Sequence, residues 1–104
     1  MQKYRIKQVG HDYYPQERKF FFFWDNIKLD SKDSRDWYLN VMNKSVHYNS
    51  SFHEAAKDAW GVIHWYTPFF QTLGAAKDFI EKYKKYLAQL EEEKNPTVKI
   101  HNLD

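Results

Sequence analysis

His53-Glu54-Ala55-Ala56-Lys57 opens like the helix of a zinc protease, in which two histidines one turn apart bracket a glutamate base. Position 57 is lysine, where the second imidazole would have to stand, so the signature fails. His11, His47, His64 and His101 form no close pair at metal-ligand spacing. The absence of cysteine excludes disulfides, thiolate metal sites and a cysteine nucleophile, and it fits a reducing compartment. Gly10, Gly61 and Gly74 lie too far apart for a phosphate-cradling loop, and there is no Gly-x-Ser-x-Gly elbow. Glu91-Glu92-Glu93 fall at the C-terminal end of a predicted helix, where the dipole disfavours anions, and read as a solvated end. No catalytic residue, cofactor or metal is therefore expected.

Two other patterns point to binding. Lys3, Arg5 and Lys7 recur at a period of two, and Arg18 and Lys19 follow beside a run of four phenylalanines. Cations that track phosphates beside rings that stack on bases are the chemistry of single-stranded nucleic-acid recognition. The candidates for it are Arg5, Lys7, Arg18, Lys19, Phe21 and Phe23. The plainer reading is that the cations protect a sheet edge and the rings fill the core. The second pattern is an aromatic surplus of 8 Phe, 8 Tyr and 4 Trp, more rings than a domain of 104 residues can bury beside its aliphatic side chains. Tyrosine and tryptophan left at the surface are the preferred anchors of protein interfaces. Tyr13, Tyr14, Trp37, Tyr38, Tyr48, Trp65 and Tyr66 are the candidates, with Phe20, Phe22, Trp24, Phe79, Tyr83 and Tyr86 assigned to the core.

The elements that must position these residues can be read in turn. Alternation over residues 3–9 predicts a strand with one basic face. Gly10 to Gln16 carries turn chemistry, with Pro15 unable to donate to a ladder. Arg18–Trp24 reads as a second strand, apolar on both faces, and residues 25–36 as a loop. Trp37–Val46 fits either a strand or a helix, with a strand favoured. Ser51-Phe-His-Glu54 matches a capping box, and Phe52, Ala55, Ala56, Ala59 and Trp60 then form a helical stripe up to Gly61. Val62–Thr67 suits a strand, although the helix could continue, and Pro68 ends either element. Thr72 caps the clearest element, a helix to Lys94 whose Ala76, Phe79, Ile80, Tyr83, Tyr86, Leu87 and Leu90 share one face. Asp78–Lys82 and Glu81–Lys85 are i,i+4 pairs on the other face. Asn95-Pro96 stops it, and alternation over Thr97–Leu103 suggests a closing strand. The tetrapeptide Ala-Ala-Lys-Asp at 55–58 and 75–78 is too short to mark a repeat.

The expected fold is α+β in one domain, 1–104: an antiparallel sheet of three to five strands with the long C-terminal helix on one face and a second, shorter helix. Leu, Ile, Val and Phe supply 24 residues, enough for a core rather than a disordered chain. A net charge of +2 argues against strong indiscriminate binding to DNA. The longest apolar run, Phe20–Trp24, falls far short of the ~20 residues a spanning helix needs, and no signal peptide is visible. A cytoplasmic protein with no membrane partner is expected.

The basic-aromatic first strand, the Tyr13-Tyr14-Pro15-Gln16 segment, the aromatic run ending at Trp24, and Phe70-Gln-Thr-Leu-Gly-Ala-Ala-Lys-Asp-Phe-Ile80 together resemble the small uncharacterised proteins of bacteriophages and other mobile elements. The resemblance is one of style and covers the first quarter and the last third of the chain. It implies a non-enzymatic protein in the host cytoplasm, which binds and blocks a host or defence protein or binds nucleic acid. A protein partner is the first expectation, nucleic acid the second, and a homodimer remains open.

Overall fold

The computed structural model describes residues 3–44, 51–94, 98 and 100–103. In chain order the elements are β1 (Tyr4–Val9), β2 (Asp12–Lys19), β3 (Phe23–Asn26), α1 (Lys32–Lys44), β4 (Ser51–Lys57), β5 (Ile63–Phe70) and α2 (Leu73–Lys94). The five strands form one antiparallel sheet in the order β1-β2-β5-β4, with β3 also paired to β2. The α+β fold is as the sequence leads one to expect, but several of its parts are not.

The turn after β1 is shorter than the reading over Gly10–Gln16. Val9 pairs directly with Asp12, which leaves only Gly10 and His11 in the loop. Gly10 has φ of +61° and His11 does not turn positive, the pattern of a type II′ hairpin, which needs glycine at its first position. Pro15 therefore lies inside β2, and Pro68, expected to end its element, lies inside β5. Both positions have a physical reason. The Arg18 N–H donates to the Lys3 carbonyl at 2.9 Å, so alternation turns Arg18, Gln16, Tyr14 and Asp12 towards β1 and Pro15 away from it. Likewise Tyr66 exchanges both backbone bonds with Leu29 (2.9 and 3.1 Å), so Pro68 faces the same side, away from β4. The β2–β5 ladder is confined to Tyr13↔Phe70. Continuing its register would set Pro15 opposite Pro68, and neither has an N–H to give. Both prolines are fully buried at this seam.

Phe20–Phe22 is the second correction. The reading of Arg18–Trp24 as one strand is overturned by a chain reversal: Lys19 pairs with Phe23 and Arg18 with Trp24. Phe20, at φ of +58°, occupies the left-handed region in which a side chain costs roughly 1–2 kcal/mol. Phe20 and Phe22 are thus not core residues; they are 85% and 86% exposed.

The third correction concerns the helices. Residues 25–36 are not mainly loop, and the segment from Trp37 is not a strand. The Ser34 N–H donates to Ser31 Oγ (3.0 Å) and the Ser31 N–H donates back to Ser34 Oγ (3.1 Å), a reciprocal cap that starts α1. The helix then turns Trp37, Tyr38 and Val41 to the core. Ser51–Lys57, read as a capped helix, is β4, paired with β5 from Phe70 to Ile63. A local cap yields here to the backbone bonds that the β5 edge offers. In the segment expected as a closing strand, the described residues 98 and 100–103 carry none; Val98, Ile100 and Leu103 are exposed.

Helix α2 matches its expected extent. Thr72 Oγ1 accepts the Ala75 N–H at 3.1 Å, and Asp78 and Lys82 pair at 2.7 Å; Glu81 pairs with Lys84 rather than Lys85. Both helices lie on one face of the sheet. Tyr38 of α1 packs 6.0 Å from Tyr66 of β5, and Phe79 of α2 packs 5.4 Å from Phe70 of β5. Trp37 stacks on Tyr86 at 4.6 Å, and Tyr4 of β1 meets Tyr83 edge-on. These rings, with Ile27, Leu29, Ala76 and Ile80, are the core. Among the described residues no buried side-chain polar atom lacks a partner.

Candidate functional site

Strand parity divides the candidate residues between two faces. Tyr4, Ile6, Tyr13 and Glu17 share the face that the helices cover. Arg5, Lys7, Tyr14, Gln16 and Arg18 share the other, joined by Trp24 and Asn26 from β3. On that outer face Arg5 donates from Nε to Gln16 Oε1 (2.8 Å), and Gln16 donates on to Asn26 Oδ1 (2.9 Å). The Arg5 guanidinium lies 4.4 Å above the Trp24 ring. Tyr14 stacks on Phe69 of β5 at 5.2 Å. The sheet thus carries a basic and aromatic face opposite its helices, across which Arg5, Gln16 and Asn26 form a hydrogen-bonded chain of side chains.

Lys19 does not belong to that face. It follows Arg18 in a strand and so points the other way, within 3.9 Å of Glu17 and 3.8 Å of Asp25. Phe21 lies on neither face but at the tip of the β2–β3 hairpin, and Phe23, paired with Lys19 at the start of β3, flanks that tip. All four phenylalanines project there: Phe20 and Phe22 as given above, Phe21 at 74% and Phe23 at 68% exposure. Phe21 and Phe22 touch edge to face at 6.5 Å. The tip is apolar on every side, on a base whose charges are internally paired.

The tyrosine and tryptophan candidates separate by burial. Tyr38 and Tyr66 are core residues, 0% and 6% exposed, and cannot anchor a partner. Trp37 and Tyr13 are half-buried against the core, and Tyr14 is half-buried in the outer face. Trp65 remains 39% exposed, with the Lys28 ammonium 5.7 Å above its ring. Tyr48 lies outside the described residues. Sequence reasoning missed the exposure of Phe20 and Phe22 and the outer-face positions of Trp24 and Phe69. A parity argument would have separated Arg18 from Lys19, whereas no glycine, asparagine or proline marks the reversal at Phe20–Phe22.

Asp58 accepts the N–H groups of Val62 (3.0 Å) and Trp60 (2.9 Å) and lies 3.3 Å from His64 Nε2; these contacts, Val62's foremost, hold its carboxyl below the usual range. That arrangement closes the β4–β5 turn. Among the described residues no group of His, Cys, Asp or Glu could hold a metal ion, and no helix is long and apolar enough to cross a membrane. Comparison with protein-family models, curated proteins and solved structures finds no match to this chain.

Proposed function

We propose that this chain is a non-enzymatic binding protein that seats the Phe20–Phe23 hairpin tip in an apolar pocket of a protein partner. The observation that carries the reading is four consecutive phenylalanines between 68% and 86% exposed at one chain reversal. Burying a phenylalanine contributes about 1.5–3 kcal/mol, so four rings offer roughly 6–12 kcal/mol before the cost of association. Phe20 keeps its ring in a backbone conformation where glycine would be relaxed, and such strain collects at sites of function. The phage-like style of the sequence adds a direction, a host or defence protein whose surface is blocked. The test is the double variant Phe21→Ser/Phe22→Ser. Calorimetry with a partner isolated from the source cell is expected to give an affinity about 100-fold lower, from some 3 kcal/mol of lost burial. The circular dichroism should not change. Equal affinity would overturn the reading.

A second reading rests on the outer face, where Arg5 over Trp24, Lys7, Arg18, Tyr14 and Phe69 combine cations with rings. Three cations can neutralise about three phosphates, so the logarithm of affinity for oligo(dT) should fall with the logarithm of salt at a slope near −2. Lys7→Glu should weaken that binding and Lys19→Glu should not. Fluorescence anisotropy at two salt concentrations decides it, and salt-independent binding removes it.

A further inference from the structure

Strand β1 is an edge strand: among the described residues it pairs with β2 alone. The bond from Arg18 N–H to the Lys3 carbonyl fixes which residues face β2. Lys3, Arg5, Lys7 and Val9 turn their backbone groups inward, so Tyr4, Ile6 and Gln8 turn theirs to the open edge. The side chains of Tyr4 and Ile6 face α2, and between that strand and that helix runs a groove of about 600 Å³. Tyr4, Ile6, Leu73 and Ile80 give it apolar walls, and Arg5, Lys77, Lys84 and one acidic residue, Glu81, stand along its rim. Lys84 is engaged by Glu81 at 3.2 Å and lies 5.5 Å from the centre of the Tyr4 ring. Among the described residues Lys77 forms no ion pair.

The geometry points to a peptide-binding site: an extended segment adds to β1 as a sixth strand, with alternate side chains in the groove and an acidic residue at Lys77. One row of residues supplies both halves of the recognition. Tyr4, Ile6 and Gln8 offer the main-chain donors and acceptors, while Tyr4 and Ile6 also line the pocket for the incoming side chains. From Tyr4 to Gln8 the edge is about 13–17 Å long, enough for five or six residues of peptide. Charge selects the occupant. A second copy pairing β1 with β1 would bring Lys3, Arg5 and Lys7 of both chains together on the outer face, where like charges repel. The chain's own Val98 and Ile100 are 85% and 82% exposed and so do not occupy the groove. A segment whose groove-facing positions, every second residue, are apolar with one acidic residue among them meets both the walls and the rim. The site is separate from the Phe20–Phe23 tip, and the two can fail independently.

The probe is a labelled heptapeptide with valine at positions 2 and 4, glutamate at position 6 and serine elsewhere, so that all three face the groove, with three controls: lysine for the glutamate, N-methyl groups on alternate amides, and the Lys77→Glu protein. Titration into the full chain followed by amide NMR should shift Tyr4, Ile6 and Gln8 and slow their hydrogen exchange. N-methylation should weaken binding at least ~10-fold, the loss of one or two backbone bonds. Lys77→Glu should weaken the glutamate peptide about fivefold and improve the lysine peptide, as a rim charge does. The Phe21→Ser/Phe22→Ser protein should bind the probe as wild type does. Shifts confined to the hairpin tip, equal binding of the N-methylated peptide, or no binding at millimolar peptide would overturn the assignment. Self-association that protects the same amides without peptide would overturn it in favour of a second copy.

Discussion

Replacing Phe79 with alanine is expected to destabilise the fold by about 3–5 kcal/mol, the usual cost of removing a fully buried phenylalanine ring. Phe79 is 0% exposed and stands where three elements meet. Its ring lies 5.4 Å from Phe70 of β5, 5.7 Å from Tyr38 of α1, and 5.7 Å from Tyr83 of its own helix. No neighbour can collapse into the space, because Tyr38 and Phe70 are fully buried and held by their own elements. Against a total stability of ~5–15 kcal/mol for a domain, the loss leaves a substantial unfolded fraction. Urea unfolding followed by circular dichroism should show a large fall in midpoint at unchanged slope. Phe21→Ala makes the contrast, since an exposed ring should change stability by no more than ~0.5 kcal/mol. A Phe79→Ala protein within 1 kcal/mol of wild type would mean that α2 is not packed as described.

Alkali should unfold this protein before it titrates all its tyrosines. Burial pushes the Tyr38 phenol far above its ordinary range, with Tyr66 adding to it, and burial does the same to Tyr83, helped by Glu17. Burial also raises Tyr4 and Tyr86. In the unfolded chain these phenols ionise near pH 10, whereas in the fold they stay protonated. Above pH ~10 the unfolded state therefore binds fewer protons, and stability falls as pH rises; below it the contribution is complete. Each group removes about 1.4 kcal/mol per pH unit, so Tyr38 and Tyr83 together remove about 3 kcal/mol per unit. Thermal midpoints between about pH 8 and pH 11, with tyrosinate absorbance recorded in parallel, should show a plateau and then a steep fall. Tyr38→Phe should roughly halve the slope. A flat profile to pH 11 would contradict the burial of both rings.

Helix α2 was legible because several local signals agreed along it: the Thr72 cap, the stripe through Phe79 and Tyr83, and the Asp78–Lys82 pair. Strand β1 was legible from its period of two. The remainder failed where a strong local signal met a stronger non-local one. Ser51-Phe-His-Glu54 has the letters of a cap but lies against the open edge of β5, whose length it pairs. Ser31-Lys-Asp-Ser34 is a working cap with serine in place of the usual Glu or Gln, so the template passed it by. The reversal at Phe20–Phe22 has no turn-forming residue at all. What closes it is the pairing of Arg18 and Lys19 with Trp24 and Phe23, which sequence periodicity does not report. For the site, Arg5 and Lys7 share a face as their period of two implies, Arg18 joins them only through the β1–β2 register, and Tyr38 and Tyr66 are buried. Composition says how many rings are surplus to the core, while only packing says which.

The proline pair at the seam has a consequence for how the molecule assembles. Residues 4–26 form a three-strand meander and residues 51–70 a hairpin, each closed by short loops and therefore fast to form. Their backbones meet at the pair Tyr13↔Phe70 and, just past β3, at the isolated bridge Leu29↔Tyr66, across a long stretch of chain whose closure is slow and entropically costly. With two isolated backbone contacts in place of a continuous ladder, the two halves are held together largely by side chains, chiefly Phe70 under Phe79 and Tyr38 against Tyr66. The barrier to folding then lies in docking two preformed pieces, and α2, which touches both, is the clamp that completes the step.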